Sequence, residues 1–303
     1  MKFLNYKKAF SLIELSIVIL IIGILVAGIT QSSRLIRQMR LSSARSITQS
    51  SPVSTIKDLM VWLESTSEKS FDDAEEENGL TVTNWYDLNP QGSFKYNAKA
   101  NNVADKPTFV ENGINGLPVL SATGSQVMLI NDLTDSFSQS GFTWIGVLQW
   151  ISPASGPKGY FGLKSRTGVG GNSGVTLFLD DCNGQANCFR SISRADGTLN
   201  SETIKVTTNY NQYKPHIISI VRSKTSISAF DGGVQLGTTV SDSTVNGIYD
   251  GNTPWAVFKY TNDNTLFFQG YAGEYIIYSR PLKDEERKSV EQYLGKKWGI
   301  KIS

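Results

Sequence analysis

Apolar residues follow three different rhythms along this chain. Residues 9–29 read Ala-Phe-Ser-Leu-Ile-Glu-Leu-Ser-Ile-Val-Ile-Leu-Ile-Ile-Gly-Ile-Leu-Val-Ala-Gly-Ile, almost pure hydrocarbon with one carboxylate, Glu14, near its start. In a helix, about twenty such residues span roughly 30 Å, the thickness of a bilayer core. Residues 30–50 lack Pro and Gly, and Leu35, Ile36, Met39 and Leu41 give a partial apolar stripe, so the helix is expected to continue past the run. Ser42-Ser43, Ser50-Ser51 and then Pro52 mark its end.

From residue 53 short segments rich in Val, Ile, Phe, Tyr and Trp alternate with Gly, Asn, Asp and Ser turns. Phe142–Trp150 is strand-like and apolar on both faces for part of its length. His216–Val221 and Thr225–Phe230 are strand-like runs around a short Arg222–Lys224 turn, and Asp231-Gly232-Gly233 opens the next hairpin. Many short strands at this spacing predict an all-β sandwich. The third rhythm closes the chain: Val290, Tyr293, Leu294 and Trp298 recur at helical spacing and predict a helix laid on the sandwich. Asp284, Glu285 and Glu286 in its first turn and Lys296 and Lys297 in its last suit the macrodipole. Its N-cap would be Lys283, which leaves the capping box half missing.

Glu14 changes the reading of the first segment. A glutamate costs on the order of 2–3 kcal/mol at mid-membrane and less near the end of a span, so its place implies a partner charge. Lys7-Lys8-Ala9-Phe10-Ser11-Leu12-Ile13-Glu14 and the apolar run around Gly23 resemble the N-terminus of type IV prepilins and pseudopilins. The resemblance implies removal of a basic leader by a prepilin peptidase between Ala9 and Phe10, N-methylation of Phe10, and Glu14 as fifth residue of the mature chain. It departs from the family in having Ala9 where Gly normally precedes the cut, and Gln31 where many members have Pro. An ordinary secretory signal would be shorter and end in a small-x-small site. A plain anchor leaves Glu14 unexplained. Lys2, Lys7 and Lys8 precede the span while Arg34, Arg37, Arg40 and Arg45 follow it, so charge alone does not fix orientation. The prepilin resemblance implies a cytoplasmic N-terminus, with the rest outside the inner membrane.

Composition narrows the remainder. The chain has 303 residues, and loss of the three leader lysines takes its formal charge from +2 to −1. No polybasic character points to nucleic acid. Met60–Glu64, Val82–Leu88, Lys106–Val110, Asn112–Val119, Gly273–Leu282 and Tyr293–Ile300 together resemble the laminin-G-like, concanavalin-A-like jelly-roll domains of bacterial surface proteins. That superfamily binds sugars, proteins and calcium and in some members hydrolyses glycans, so the resemblance bears on fold more than on ligand.

Candidate chemistry is sparse. Cys182 and Cys188 flank a short turn between strand-like segments, and an exported chain meets an oxidising compartment, so a disulfide is expected. Zinc is disfavoured with two Cys and a single His. Asp180 and Asp181 are candidate calcium ligands or a solvated turn, and no other cofactor is implied. Glu64, Glu68, Asp72, Asp73, Glu75, Glu76 and Glu77, against the single base Lys69, read as a solvated, mobile loop. The four arginines after the span read as a solvated face, a site for headgroups, or a site for an acidic neighbour. His216 reads as a strand histidine. No strand offers paired carboxylates for glycoside hydrolysis, and no nucleophile constellation or phosphate loop is recognisable.

The expected architecture is a pilin-like N-terminal helix, an all-β jelly-roll sandwich and a C-terminal helix. Its parts are a leader (1–9), a membrane and filament-core helix (10–52) and a lectin-like domain (53–303). The expected function is a minor or tip filament subunit with an adhesive, non-enzymatic head. It would join other pilin subunits through its helix, with a glycan or surface protein as ligand. The alternatives are a type II secretion pseudopilin and a pilin-anchored glycan-degrading enzyme.

Overall fold

Nothing between Leu12 and Gln49 interrupts a helix, and in the computed structural model these residues form a single one, α1 (Leu12–Gln49). The structure describes residues 11–130, 133, 141–151, 159–166, 173–182, 185–194, 204–206, 213–241, 254–259 and 267–303; the strands between 159 and 206 are described by their backbone. Ser16 and Ser32 hydroxyls donate back to the carbonyls of Leu12 and Gly28, both at 2.8 Å, so they cost the helix no exposed donor. The helix stops at the Ser50-Ser51-Pro52 signal. Residues 1–43 and 44–303 form two compact units.

The second unit is a two-sheet β-sandwich. Its strands are β1 (Leu59–Glu64), β2 (Asn84–Trp85), β3 (Ala98–Lys99), β4 (Thr108–Val110), β5 (Val119–Thr123), β6 (Met128–Ile130), β7 (Gly141–Trp150) and β8 (Gly159–Arg166). They continue as β9 (Ser173–Cys182), β10 (Gln185–Arg194), β11 (Ile204–Val206), β12 (His216–Ser223), β13 (Ser226–Asp231), β14 (Val234–Ser241), β15 (Trp255–Val257) and β16 (Gln269–Tyr278), and the closing helix is α2 (Asp284–Trp298). One sheet runs β14-β13-β12-β7-β16-β5-β4, the other β11-β10-β9-β8-β15-β6-β3-β2. Strand β16 pairs with β5 through Gln269–Ala272 and then with β1 through Glu274–Tyr278. The change of partner falls at a register break around Gly273.

Strand β7 shows why this sheet sits at the centre. Phe142, Trp144, Leu148 and Trp150 face the core between the sheets, where Trp144 meets Tyr275 and Phe142 meets Trp255 edge-on, at centroid distances of 5.6 and 5.3 Å. Ile145 and Val147 face a second core formed with Val290, Tyr293, Leu294 and Trp298 of α2 and with Ala44 of α1. The strand is therefore apolar on both faces because both are covered.

Helix α2 lies on that outer face with all four expected residues buried. The half capping box exists as the Lys283 N–H donating to Glu286 Oε2 at 2.9 Å. Arg280 adds a bidentate pair to Glu286 with both bonds at 2.7 Å, and that contact, ahead of all else, draws the Glu286 carboxyl down to about 2. At the other end Gly299 takes the left-handed conformation (φ 64°) that closes the helix.

The acidic stretch 64–77 is only in part the solvated loop that its composition suggests. Glu64 is fully buried, Glu75 accepts from the N–H and hydroxyl of Thr83 at 2.9 and 2.5 Å, Asp72 accepts from Tyr86, and Glu68 pairs with Arg45 at 2.5 Å. Short polar contacts hold these four acids, while Asp73 and Glu77 face solvent.

The last turns of α1 belong to the sandwich unit. Ala44 and Ser51 are buried, Arg45 Nε donates to the Thr66 carbonyl at 2.7 Å, and Thr48 Oγ1 lies 3.4 Å from Tyr293 Oη. A soluble fragment starting at residue 53 loses these contacts, one starting at 44 keeps them. The shorter fragment is expected to be about 2 kcal/mol less stable, a melting midpoint roughly 4–8 °C lower by calorimetry. Equal midpoints would show that residues 44–52 add nothing to the head.

Candidate functional site

Two features concentrate the chemistry of this chain, and each arises from apolar packing that is complete in one case and missing in the other. The first is α1. Leu12, Ile13, Leu15, Ile17, Val18, Ile19 and Leu20 are exposed, and the surface stays apolar on every side as far as Ile29. The helix is long and apolar enough to cross a membrane by length and composition. A helix apolar all round needs lipid or other helices around it. Glu14 sits in its first turn and accepts a hydrogen bond from the Ser11 N–H at 2.8 Å, which caps the helix and suits its positive end. The expected cleavage and methylation positions, Ala9 and Phe10, lie outside the described residues.

The second feature is a charge cluster sealed under α2. Register places Glu64 on β1 opposite Glu274 on β16, two like charges facing each other. Lys297 of α2 reaches between them, with Nζ 2.8 Å from Glu64 Oε2 and 3.0 Å from Glu274 Oε2, all three side chains being fully buried. Glu274 also accepts from Trp62 Nε1 (2.9 Å), Trp298 Nε1 (3.0 Å) and Tyr293 Oη (2.8 Å). Thr66 donates to Glu64 Oε2 through its N–H and its hydroxyl, both at 2.7 Å. Gly273 makes the approach feasible, because a Cβ there would collide with the Trp298 ring. Burial alone would pull the Lys297 ammonium down, but Glu274 and then Glu64 outweigh it and hold it above its ordinary value. Burial, with Glu274 and Glu64 adding to it, pushes the Tyr293 phenol well up.

No local motif announces this cluster, although one signal exists. Lys297 falls on the apolar stripe of α2 between Leu294 and Trp298, and Glu64 ends an otherwise apolar strand. A charge in apolar register is a candidate for buried pairing. Arg287 and Glu291 repeat the theme, with Arg287 Nη1 2.7 Å from both Glu291 oxygens, Ser219 Oγ donating to Glu291 at 2.7 Å, and the guanidinium 3.6 Å from the Phe230 ring centre.

The remaining sequence candidates are spread over the sandwich. His216 opens β12 with Nδ1 2.8 Å from Asp231 Oδ2, a strand histidine in a half-buried pair. Strands β9 and β10 pair antiparallel, with Cys188 opposite Asp180 and Cys182 opposite Gln185. The side chains of Cys182, Cys188, Asp180 and Asp181 lie outside the described ones. Among the described residues, no group of three or more His, Cys, Asp or Glu side chains is placed to hold a metal ion.

Comparison with known proteins follows the same division. Residues 4–30 match the family described as the prokaryotic N-terminal methylation motif. No curated protein matches the chain in sequence. In fold the chain is similar to Trypanosoma rangeli sialidase in complex with 2,3-difluoro-KDN, with a TM-score of 0.52 and 15% identity, covering 80% of this chain and 33% of that one. It is also similar to a mutant of that sialidase displaying trans-sialidase activity, at a TM-score of 0.51 and 14% identity over 81% of this chain and 34% of the other. The chain thus spans about a third of these sialidase chains, and the likeness is one of fold. This protein joins a prokaryotic N-terminal methylation motif to a jelly-roll β-sandwich fold with a C-terminal helix.

The sealed cluster makes a direct prediction for stability. Lys297→Met leaves two buried carboxylates without their cation and is expected to cost about 3–5 kcal/mol. Restoring charge balance with Glu64→Gln in the same chain should recover part of that loss. Chemical denaturation of the 44–303 fragment measures both, and a Lys297→Met head as stable as the parent would contradict the role assigned to the lysine.

Proposed function

We propose that this chain is a minor or tip subunit of a type IV pilus-like filament, and that its head binds a glycan or a surface protein without turning it over. The observation that carries this reading is Glu14 within the exposed apolar stretch Leu12–Ile29 of α1, inside the segment that matches the methylation motif. On this reading residues 1–9 are the leader, 10–52 the helix and 53–303 the head. A prepilin peptidase cuts between Ala9 and Phe10, and Phe10 is then methylated. The helix holds the subunit in the inner membrane, with the head outside the cytoplasm, until it joins other subunits in a filament core. A head of this size is large for close repetition, which favours a minor or terminal place.

The new ammonium of Phe10 needs a carboxylate within about 4–6 Å once it is in a low dielectric. Glu14 lies one helical turn on, so either its own terminus or that of the adjoining subunit satisfies it. Only the second pairing drives assembly. The head is held as a binding module because the sequence offers no paired carboxylates on a strand. A Cys182–Cys188 disulfide belongs to the same reading, because an exported head meets an oxidising compartment.

Glu14→Val should leave leader removal and membrane insertion intact, while incorporation into filaments falls at least about tenfold, as expected for loss of a buried charge pair. Mass spectrometry of assembled protein should find methylated Phe10 as the first residue. Wild-type assembly by the valine variant, or an intact Met1 end in filaments, removes the basis of the proposal. The fold likeness to sialidases makes sialylated glycans the first ligands to test on an array. Binding without release of free sugar is the expected result, and turnover of any glycan would replace the binding module with an enzyme.

A further inference from the structure

We propose that Lys297 and Glu64 condense to an amide between their side chains, so that the closing helix is covalently tied to the first strand of the head. The inference stands on the charge cluster under α2 and does not depend on the filament reading. An amine and a carboxyl condense when they are held in contact, shielded from water and served by a group that moves protons. The cluster meets all three conditions, and the ion pair described above is the state that precedes the bond.

Lys297 Nζ lies 2.8 Å from Glu64 Oε2, although the two residues are 233 positions apart in the chain. The side chains of Glu64, Lys297 and Glu274 have no exposed surface. The rings of Tyr293 and Trp298 stand 5.7 and 5.5 Å from Nζ and help to close the site to solvent.

The two carboxylates are not equivalent. Glu274 accepts on both oxygens, from Trp62 Nε1 and Tyr293 Oη on Oε1 and from Lys297 Nζ and Trp298 Nε1 on Oε2. Glu64 accepts on Oε2 alone, from Lys297 Nζ and from the N–H and hydroxyl of Thr66. Its Oε1 is buried and has no hydrogen-bond partner among the described residues. The Thr66 donors therefore converge on the oxygen that gains charge when nitrogen adds to Cδ, and the bare oxygen is the one left to depart.

Two carboxylates against one ammonium leave one negative charge over in a site closed to water, and a proton on Glu64 Oε1 cancels it. Glu274 Oε2, 3.0 Å from Nζ, takes a proton from the ammonium. Burial opposes that ammonium, but Glu274 and Glu64 outweigh it and hold it above its ordinary value, so this first transfer is uphill. The freed nitrogen pair then attacks Glu64 Cδ, and the carbonyl pair moves onto Oε2 under the Thr66 donors. Glu274 passes its proton to the Oε1 hydroxyl and takes the second proton from nitrogen. The C–O bond breaks, water leaves, and the C–N bond remains as an amide. One water is lost and nothing is oxidised or reduced. The site is then closed to the solvent that would hydrolyse the bond.

Mass spectrometry of the full chain, purified from cells and reduced, tests the proposal. The expected mass lies one water below that of the same polypeptide without the link, and protease digestion should release a branched peptide that joins Glu64 to Lys297. Lys297→Arg should regain the missing water. Glu274→Gln keeps both partners and should slow the bond at least about a hundredfold, followed as mass against time after synthesis. A wild-type chain of full mass, a missing water that persists in Lys297→Arg, a branch at Glu274 in place of Glu64, or a bond formed at the parent rate in Glu274→Gln overturns the proposal. The wild-type mass and the branched peptide decide it even where a variant fails to fold.

Discussion

Two glutamates that face each other on neighbouring strands cannot both sit in an apolar core without a cation between them. Lys297 is that cation, and the architecture around it follows. β1 completes the sheet beside β16 at the point where Glu64 meets Glu274. α2 is fixed by the lysine and by the donors from Tyr293 and Trp298, and its underside then covers the outer face of the central sheet. The cluster carries a desolvation cost that Coulomb attraction alone does not repay, so its value lies in uniqueness of register: a one-residue slip of β1 would leave Glu274 facing an apolar side chain and Lys297 one partner short.

The same physical rule separates the two units of the chain. In the sandwich, aliphatic and aromatic side chains are removed from water on both faces of the central sheet by chain that comes back from far away. On α1 side chains of the same kind, from Leu12 to Ile29, have no such cover. Hydrocarbon left exposed in this way is completed from outside, on the proposed reading first by lipid and then by other helices. A carboxylate set into that surface selects among external partners, because a bare hydrocarbon contact has no preferred register and a charge pair does.

The last turns of α1 join the sandwich through Ala44 and Ile47, which pack in the core under α2, and through short polar contacts. Ala44 is the buried residue of the α1 root, while Arg45 and Thr48 reach Thr66, Glu68 and Tyr293. Tyr293 is shared, since its hydroxyl also donates to Glu274. The end of the helix is therefore tied, through one phenol, to the charge cluster that fixes the closing helix.

Local pattern was enough for the elements that repeat at short range. The run from Leu12 to Ile29 dictated a helix with an apolar surface, the two-faced apolarity of Phe142–Trp150 dictated a central strand, and Val290, Tyr293, Leu294 and Trp298 dictated which side of α2 is inward. Each of these depends on periodicity within about twenty residues, which a sequence displays directly. The charges behaved otherwise. Glu64 and its acidic neighbours read as solvated because composition counts charge without knowing what lies across from it. Its true partner, Lys297, is 233 residues away, and the third member, Glu274, comes into register only when β16 leaves β5 for β1 at Gly273. Local sequence determined where the chain is helical, extended and apolar; tertiary structure alone decided which charges are buried, because the sign and position of a partner are set by strand register and helix docking across the whole length of the head.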